Sequence, residues 1–240
     1  LLLLCVKSHA GILLQDGFNV PDGLITNEYA YWNPTLATSV KSSTWEMTSG
    51  SFFANGQVGW TGIPDAVGPN ATSSNGTNSS IFRLTTKNAG FGDVAISFNF
   101  LNIAYSTTAV TPAVAWDGAH VFLRYQNEAN LYYASFNRRD NTIVIKKKVP
   151  GGPSNGGTYY DLSAYIPFSQ PCSWQAVKAT VKNNPDSSVT IALYVNGNLL
   201  AQVTDNGSIG GPPICNPGKV GVRGDNLQFK IEDFIVSSLL

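Results

Sequence analysis

Short runs in which apolar and polar side chains alternate, each bounded by turn residues, recur along almost the whole chain, and this period of two limits the fold more than any other feature. Ile81-Phe82-Arg83-Leu84-Thr85 is one run, and residues 94–100, 121–125, 131–136 and 142–149 supply others. Later ones follow at 175–182, 189–195, 199–204, 219–223 and 229–236, with Asn196-Gly197-Asn198 as a hairpin turn. Helical periodicity is almost absent. About a dozen strands in 240 residues predict an all-β domain of two packed antiparallel sheets, a sandwich or jelly roll, over residues 11–240. An apolar share of 43% is ample for its core, so a disordered or disulfide-stapled chain is excluded.

Charged residues make up only 12%, and 15 basic side chains balance 15 acidic ones, which argues against a nucleic-acid partner. The opening Leu1-Leu2-Leu3-Leu4-Cys5-Val6-Lys7-Ser8-His9-Ala10 reads as the tail of a secretory signal cut after Ala10. No other apolar stretch approaches the roughly 18–20 residues of a membrane span. A secreted, extracellular protein is expected. Without Cys5 two cysteines remain, and a Cys172–Cys215 disulfide is expected, worth about 2–4 kcal/mol, with Trp174 packed over it. Asn-x-Ser/Thr triplets at Asn70, Asn75, Asn78 and Asn206 are candidate glycosylation sites.

The stretch 120–139 carries the clearest chemistry. Read as a hairpin with Gln126 facing Leu131, it sends Val121, Leu123, Tyr125, Tyr132, Ala134 and Phe136 to the core. The other face gathers His120, Phe122, Arg124 and Gln126 with Tyr133, Ser135, Asn137 and Arg139, placing Arg124 opposite Tyr133. A following strand adds Val144, Lys146 and Lys148 to it. Guanidinium and ammonium groups beside Phe122 and Tyr133 suit an acidic polysaccharide, with rings against sugar faces and cations on carboxylates or sulfates. Tyr29, Tyr31, Trp32, Trp45 and Trp60 are candidates for an aromatic wall beside this groove.

Paired-carboxylate hydrolysis is disfavoured, because Asp65, Asp140, Asp161, Asp186, Asp205 and Asp225 sit in turn-like contexts. Zinc spacing, phosphate loops and the Gly-x-Ser-x-Gly elbow are absent from the sequence. A polysaccharide lyase needs a group that neutralises the uronate and a Tyr or His that moves protons, roles open to His120, Arg124 and Tyr133 with Gln126.

The ending Gly218-Lys219-Val220-Gly221-Val222-Arg223-Gly224-Asp225-Asn226, followed by Phe229-Lys230-Ile231-Glu232-Asp233-Phe234, resembles the closing hairpin of concanavalin A-like jelly rolls. Asp16-Gly17-Phe18 is similar to their short first strand, and the two ends bracket nearly the whole chain. That superfamily includes lectins, glucanases, lyases and adhesion modules, so the resemblance implies a fold more than a function. It also implies a structural Ca²⁺ where the first strand meets the last, here at Asp16 and Asp233 with oxygen from Asn27 or Glu28. The Arg, Gln, His and Tyr set is similar in kind to that of jelly-roll alginate lyases. Their Gln-(Ile/Val)-His strand and Tyr-Lys-x-Gly-x-Tyr motif do not occur here, and neither does the Glu-x-Asp-x-x-Glu strand of the glucanases.

The leading expectation is a polysaccharide-binding domain using Phe122, Arg124, Gln126, Tyr133, Asn137, Arg139, Lys146 and Lys148. A uronate lyase is the first alternative. A self-associating matrix or filament protein is the second, suggested by the low and balanced charge.

Overall fold

Alternation becomes strand after strand in the computed structural model, which describes residues 11–66 and 80–239. Residues 1–10, with Cys5 and the expected signal, and Asn70, Asn75 and Asn78 lie outside the described residues. The elements are β1 (Ile12–Asp16), β2 (Gly23–Asn27), the single turn α1 (Tyr29–Trp32), β3 (Trp45–Ser49), β4 (Ser51–Ala54), β5 (Gly59–Trp60) and β6 (Ile81–Thr86). After them come β7 (Val94–Tyr105), β8 (Gly118–Asn127), β9 (Asn130–Arg138), β10 (Thr142–Ser154), β11 (Gly157–Asp161) and β12 (Ile166–Pro167). The chain closes with β13 (Gln175–Asn183), β14 (Val189–Val195), β15 (Asn198–Asp205), β16 (Lys219–Asp225) and β17 (Leu227–Ser238).

Two antiparallel sheets face each other. One runs β15-β14-β13-β7-β17-β5-β4-β2 with β1 also on β17, and the other runs β11-β10-β9-β8-β16-β6-β3 with β12 on β10. One core cluster draws on both, from Leu84, Val121, Leu123, Ala134, Ile145 and Val222 on one side to Ile96, Val177, Ile191 and Val236 on the other. Phe18, Trp45, Phe52, Phe82, Phe229, Phe100 and Phe136 form a chain of tilted and edge-to-face ring contacts through it. Trp45 is therefore core, not wall.

Lys147 is one of the charged side chains that enter this interior. The strand period that turns Lys146 and Lys148 outward turns Lys147 inward, where it is fully buried against Asp205 at 2.8 Å. Tyr132 donates to the same carboxylate at 2.6 Å and accepts from Ile214 N at 2.9 Å, while Lys147 also donates to Gly211 O at 2.6 Å. This cluster fastens the long β15–β16 connection to the second sheet.

The expected Cys172–Cys215 disulfide is not formed, and both thiols are free. Cys172 lies three residues before β13, whereas the Cys215 carbonyl accepts from Asn183 Nδ2 at the other end of that strand. Nine extended residues hold the two ends roughly 26 Å apart, far beyond the ~7 Å limit for bridged Cα atoms. Trp174 has no disulfide to cover and is 39% exposed.

At the expected Ca²⁺ site the Asp16 oxygens have other partners. Asp16 accepts from Phe18 N at 2.8 Å through one oxygen and from Trp45 Nε1 at 2.7 Å through the other. Asn27 donates to Thr38 O and accepts from Val40 N, and Glu28 accepts from Gly50 N. Among the described residues no three His, Cys, Asp or Glu side chains gather around one point. Asn206 is exposed, as a glycan acceptor must be.

Candidate functional site

Strands β11, β10, β9, β16 and β6 line a groove on the outer face of the second sheet. Its volume is about 460 Å³, and Arg83, Arg138, Lys146, Lys148 and Arg223 line it with Tyr133, Tyr159, Tyr165 and Trp116. Five cations and no carboxylate form that lining. Their counter-ions stand to the side: Glu128 by Arg83 at 3.2 Å, Asp140 by Arg138 at 2.5 Å and Asp161 by Lys146 at 2.9 Å.

Phe122, Tyr133, Lys146 and Lys148 lie on the expected face, with Phe122 and Lys146 both opposite Tyr133. Arg124, Asn137 and Arg139 do not, and two bulges explain why. Between the pairs Leu123↔Tyr132 and Asn127↔Asn130, the three residues Arg124, Tyr125 and Gln126 oppose Leu131 alone. Arg124 adopts φ 48° and turns inward, fully buried, to Asp93 at 2.8 Å and the carbonyls of Cys215 and Asn216. Tyr125, expected in the core, packs instead with Phe122, Leu131 and Tyr133 on the groove side. Gln126 is exposed and donates to Pro217 O at 2.8 Å.

The second bulge lies between Ala119↔Asn137 and His120↔Ser135, leaving Phe136 without a partner on β8. Phe136 enters the core, and Asn137 accepts from Tyr105 Oη at 2.7 Å and donates to Gln170 at 3.0 Å. Parity then reverses, so that Arg138 reaches the groove. Arg139 faces away, bonded to Asp117 at 3.0 Å and lying over the Tyr105 ring. Gly118 permits this approach: at φ 146°, its Cβ would stand 1.8 Å from Asn137 O.

Under the groove lies a buried polar row. Arg223 donates from Nε and Nη2 to Asp225, both at 2.7 Å, and from Nη1 to Tyr159 Oη at 3.0 Å. Asp225 stands 3.3 Å from His120 Nε2, and His120 Nδ1 is 3.0 Å from Ser135 Oγ. The imidazole stacks on Tyr133 with centroids 4.3 Å apart. Burial lowers the His120 pKa to about 4, so the ring is neutral at pH 7. Burial alone would raise the Asp225 carboxyl, but the Arg223 charge and the bonds from His120 and Arg223 hold it far below the usual range. The Tyr133 hydroxyl is pushed well above its ordinary value, chiefly by burial.

Arg83 and Arg223 are directly opposite each other across β6 and β16. Like charges in that register repel, and burial together with Arg223 lowers the Arg83 pKa. Lys148 is next to them, its ammonium 4.9 Å from the Tyr159 ring centre and bonded to Glu128 O. Burial and these two guanidiniums bring Lys148 down to about 8. Three cations thus converge here, two of them disfavoured by burial and by one another.

The outward alternation of Arg83 in 81–85 and of Arg223 in 219–223 was a usable signal. Their meeting was not, because it joins strands about 140 residues apart. Of the aromatic candidates, Tyr29 is buried and Trp60 lies on Phe53, whereas Tyr31 and Trp32 are exposed.

The arrangement is that of a two-sheet antiparallel jelly roll with a cationic groove across one sheet. The sequence matches no protein-family model and no curated protein. Solved structures are similar in fold. One is a Bacillus subtilis protein of unknown function with a galectin-like fold, at 13% identity and TM-score 0.55, over 97% of this chain and 99% of that one. Another comes from work on endo-acting O-glycanases with which prominent members of the human gut microbiota initiate mucin breakdown. It has 10% identity and TM-score 0.57, over 96% of this chain and all of that one. The carbohydrate recognition domain of Emp46p, potassium-bound, gives 11% identity and TM-score 0.54, over 82% and 90%.

Proposed function

We propose that the protein is a secreted, extracellular binding domain for an acidic polysaccharide, held in the groove of the second sheet. The observation that carries this reading is the lining itself, five cations interleaved with tyrosines. Guanidinium groups of Arg83, Arg138 and Arg223 fork onto carboxylate or sulfate, and Tyr159 and Tyr165 offer ring surface to the sugar. Fold neighbours that include a carbohydrate recognition domain agree with it.

Affinity electrophoresis through gels containing a polyuronate or a neutral glucan tests the proposal. Retardation is expected in the polyuronate gel alone, falling as salt rises. Retardation only by the neutral glucan would overturn it. Arg138→Ala with Lys146→Ala should weaken binding by roughly a hundredfold or more, because two charge-assisted bonds of about 1.5–3 kcal/mol each are lost.

Lys148 adds a pH dependence. Its charge is present below about pH 8 and lost above it. Polyuronate affinity should therefore fall between pH 7 and 9, with proton uptake on binding near pH 8, and Lys148→Met should remove both. A flat affinity in the wild type across that range would exclude Lys148 from the site.

Lyase activity is the second reading, favoured by the Tyr133–His120 stack beside Arg223. The set His120, Arg124 and Tyr133 does not assemble, because Arg124 points to the 215–216 loop. Arg223 takes over as the uronate neutraliser in this reading. New ultraviolet absorbance from unsaturated products, lost in Tyr133→Phe, would establish it.

A further inference from the structure

The cationic groove does not stop at the edge of its lining. Asn155, at the tip of the β10–β11 hairpin with φ 47°, also lines a second hollow of about 300 Å³, bounded by Tyr31, Trp32, Glu46, Gln126 and Glu128. The tip is held against the β8–β9 turn: a Cβ on Gly157 would meet Ala129 O at 3.0 Å and the Lys148 side chain at 2.8 Å. The two hollows are thus neighbours on either side of one fixed loop.

Their chemistry differs. The second hollow contains Tyr31 and Trp32, 46% and 43% exposed, with ring centroids 4.7 Å apart and planes at 85°. The indole is anchored because its Nε1 donates to Thr48 O at 2.9 Å. Such a fixed, half-exposed pair gives an apolar ring face at small entropic cost on binding. Around it, Glu46 is paired with Lys219 at 2.5 Å and Glu128 with Arg83 at 3.2 Å. Two carboxylates and one lysine in the lining repel an anion but accept bonds from sugar hydroxyls, helped by the amides of Gln126 and Asn127.

We infer that the Tyr31–Trp32 platform is a second subsite that takes a neutral sugar unit of the same polymer whose charged unit lies in the cationic groove. The ligand class is then a heteropolymer in which uronate and neutral units alternate, and not a homopolyuronate. This rests on the binding reading of the main groove.

Calorimetric titration of the full chain with two octasaccharides tests it: one from hyaluronan, alternating glucuronate with an uncharged N-acetylated sugar, and one of galacturonate alone. The wild type is expected to bind the alternating octasaccharide at least roughly tenfold more tightly. Trp32→Ala should abolish that preference while leaving galacturonate affinity unchanged, and Trp32→Phe should restore part of it. Equal affinity of the wild type for both, or equal loss of both in Trp32→Ala, would overturn the subsite. If the wild type bound neither, the main groove would fail and the subsite with it, a result separate from loss of preference alone. A melting temperature of Trp32→Ala that stays well above the titration temperature, lowered only by loss of the Thr48 bond and its packing, secures the comparison.

Discussion

Asp205→Ala is expected to destabilise the protein by about 3–5 kcal/mol, the cost of removing one partner from a buried ion pair. For a chain of this size that corresponds to a fall in melting temperature of roughly 6–20 °C. The variant leaves the Lys147 ammonium in the interior with the carbonyls of Gly211 and Pro212, and takes from Tyr132 Oη the acceptor it bonds at 2.6 Å. Gly207 N also loses its acceptor, so the 206–218 connection loosens at several points together. Lys147→Met tests the charge separately. Lys147→Met with Asp205→Ala should cost less than the sum of the single changes, because neither charge is then stranded. A melting temperature of Asp205→Ala within 2 °C of wild type would show that Lys147 reaches water.

The second large effect is acid destabilisation below neutrality. His120 is fully buried with a pKa near 4, against about 6.5 in an unfolded chain. The unfolded state therefore binds a proton over this interval and the folded state does not. Stability from the neutral ring is complete above about pH 6.5 and is lost as pH falls toward 4. The difference amounts to about 3 kcal/mol. Asp225 and Asp140, both held low by arginines, contribute only further down, as pH passes below the unfolded carboxyl value. Urea unfolding at half-unit steps from pH 7.5 to 4.5 should show the decline in the wild type and a much flatter profile in His120→Gln. Equal slopes in the two would remove His120 as the cause.

These residues show how far the sequence could be read. Alternation located most strands and turned Phe122, Tyr133, Lys146 and Lys148 to one face, because burial of the other face fixes their register. It failed at Arg124, Asn137 and Arg139, since two extra residues on β8 within 124–126 and the single insertion of Phe136 on β9 break the alternation, and no turn residue marks either bulge. Tyr125 and Arg138 took the places those bulges vacated. Lys147 was legible as inward by parity, but its partner came from β15, and pairing between distant strands leaves no local trace. Cysteine counting suggested a disulfide because it has no length scale, and the extended strand between the two thiols supplies one. Arg83 and Arg223 were each visible as outward residues, while their adjacency belongs to the sheet order β16-β6.

The Arg83–Arg223 register also bears on how this protein can change over generations. With no anion present, burial and the nearby Arg223 charge disfavour the Arg83 guanidinium, so a neutral residue at position 83 would relieve the repulsion, whereas Arg223 is held by the buried Asp225. Most natural proteins lie only modestly above the stability they need, and sites kept against that gradient trade robustness for function. Selection for heat resistance alone would thus tend to erase this pair at one end, and laboratory evolution under that pressure should deplete arginine at position 83, while keeping Arg223, unless polymer binding is selected as well.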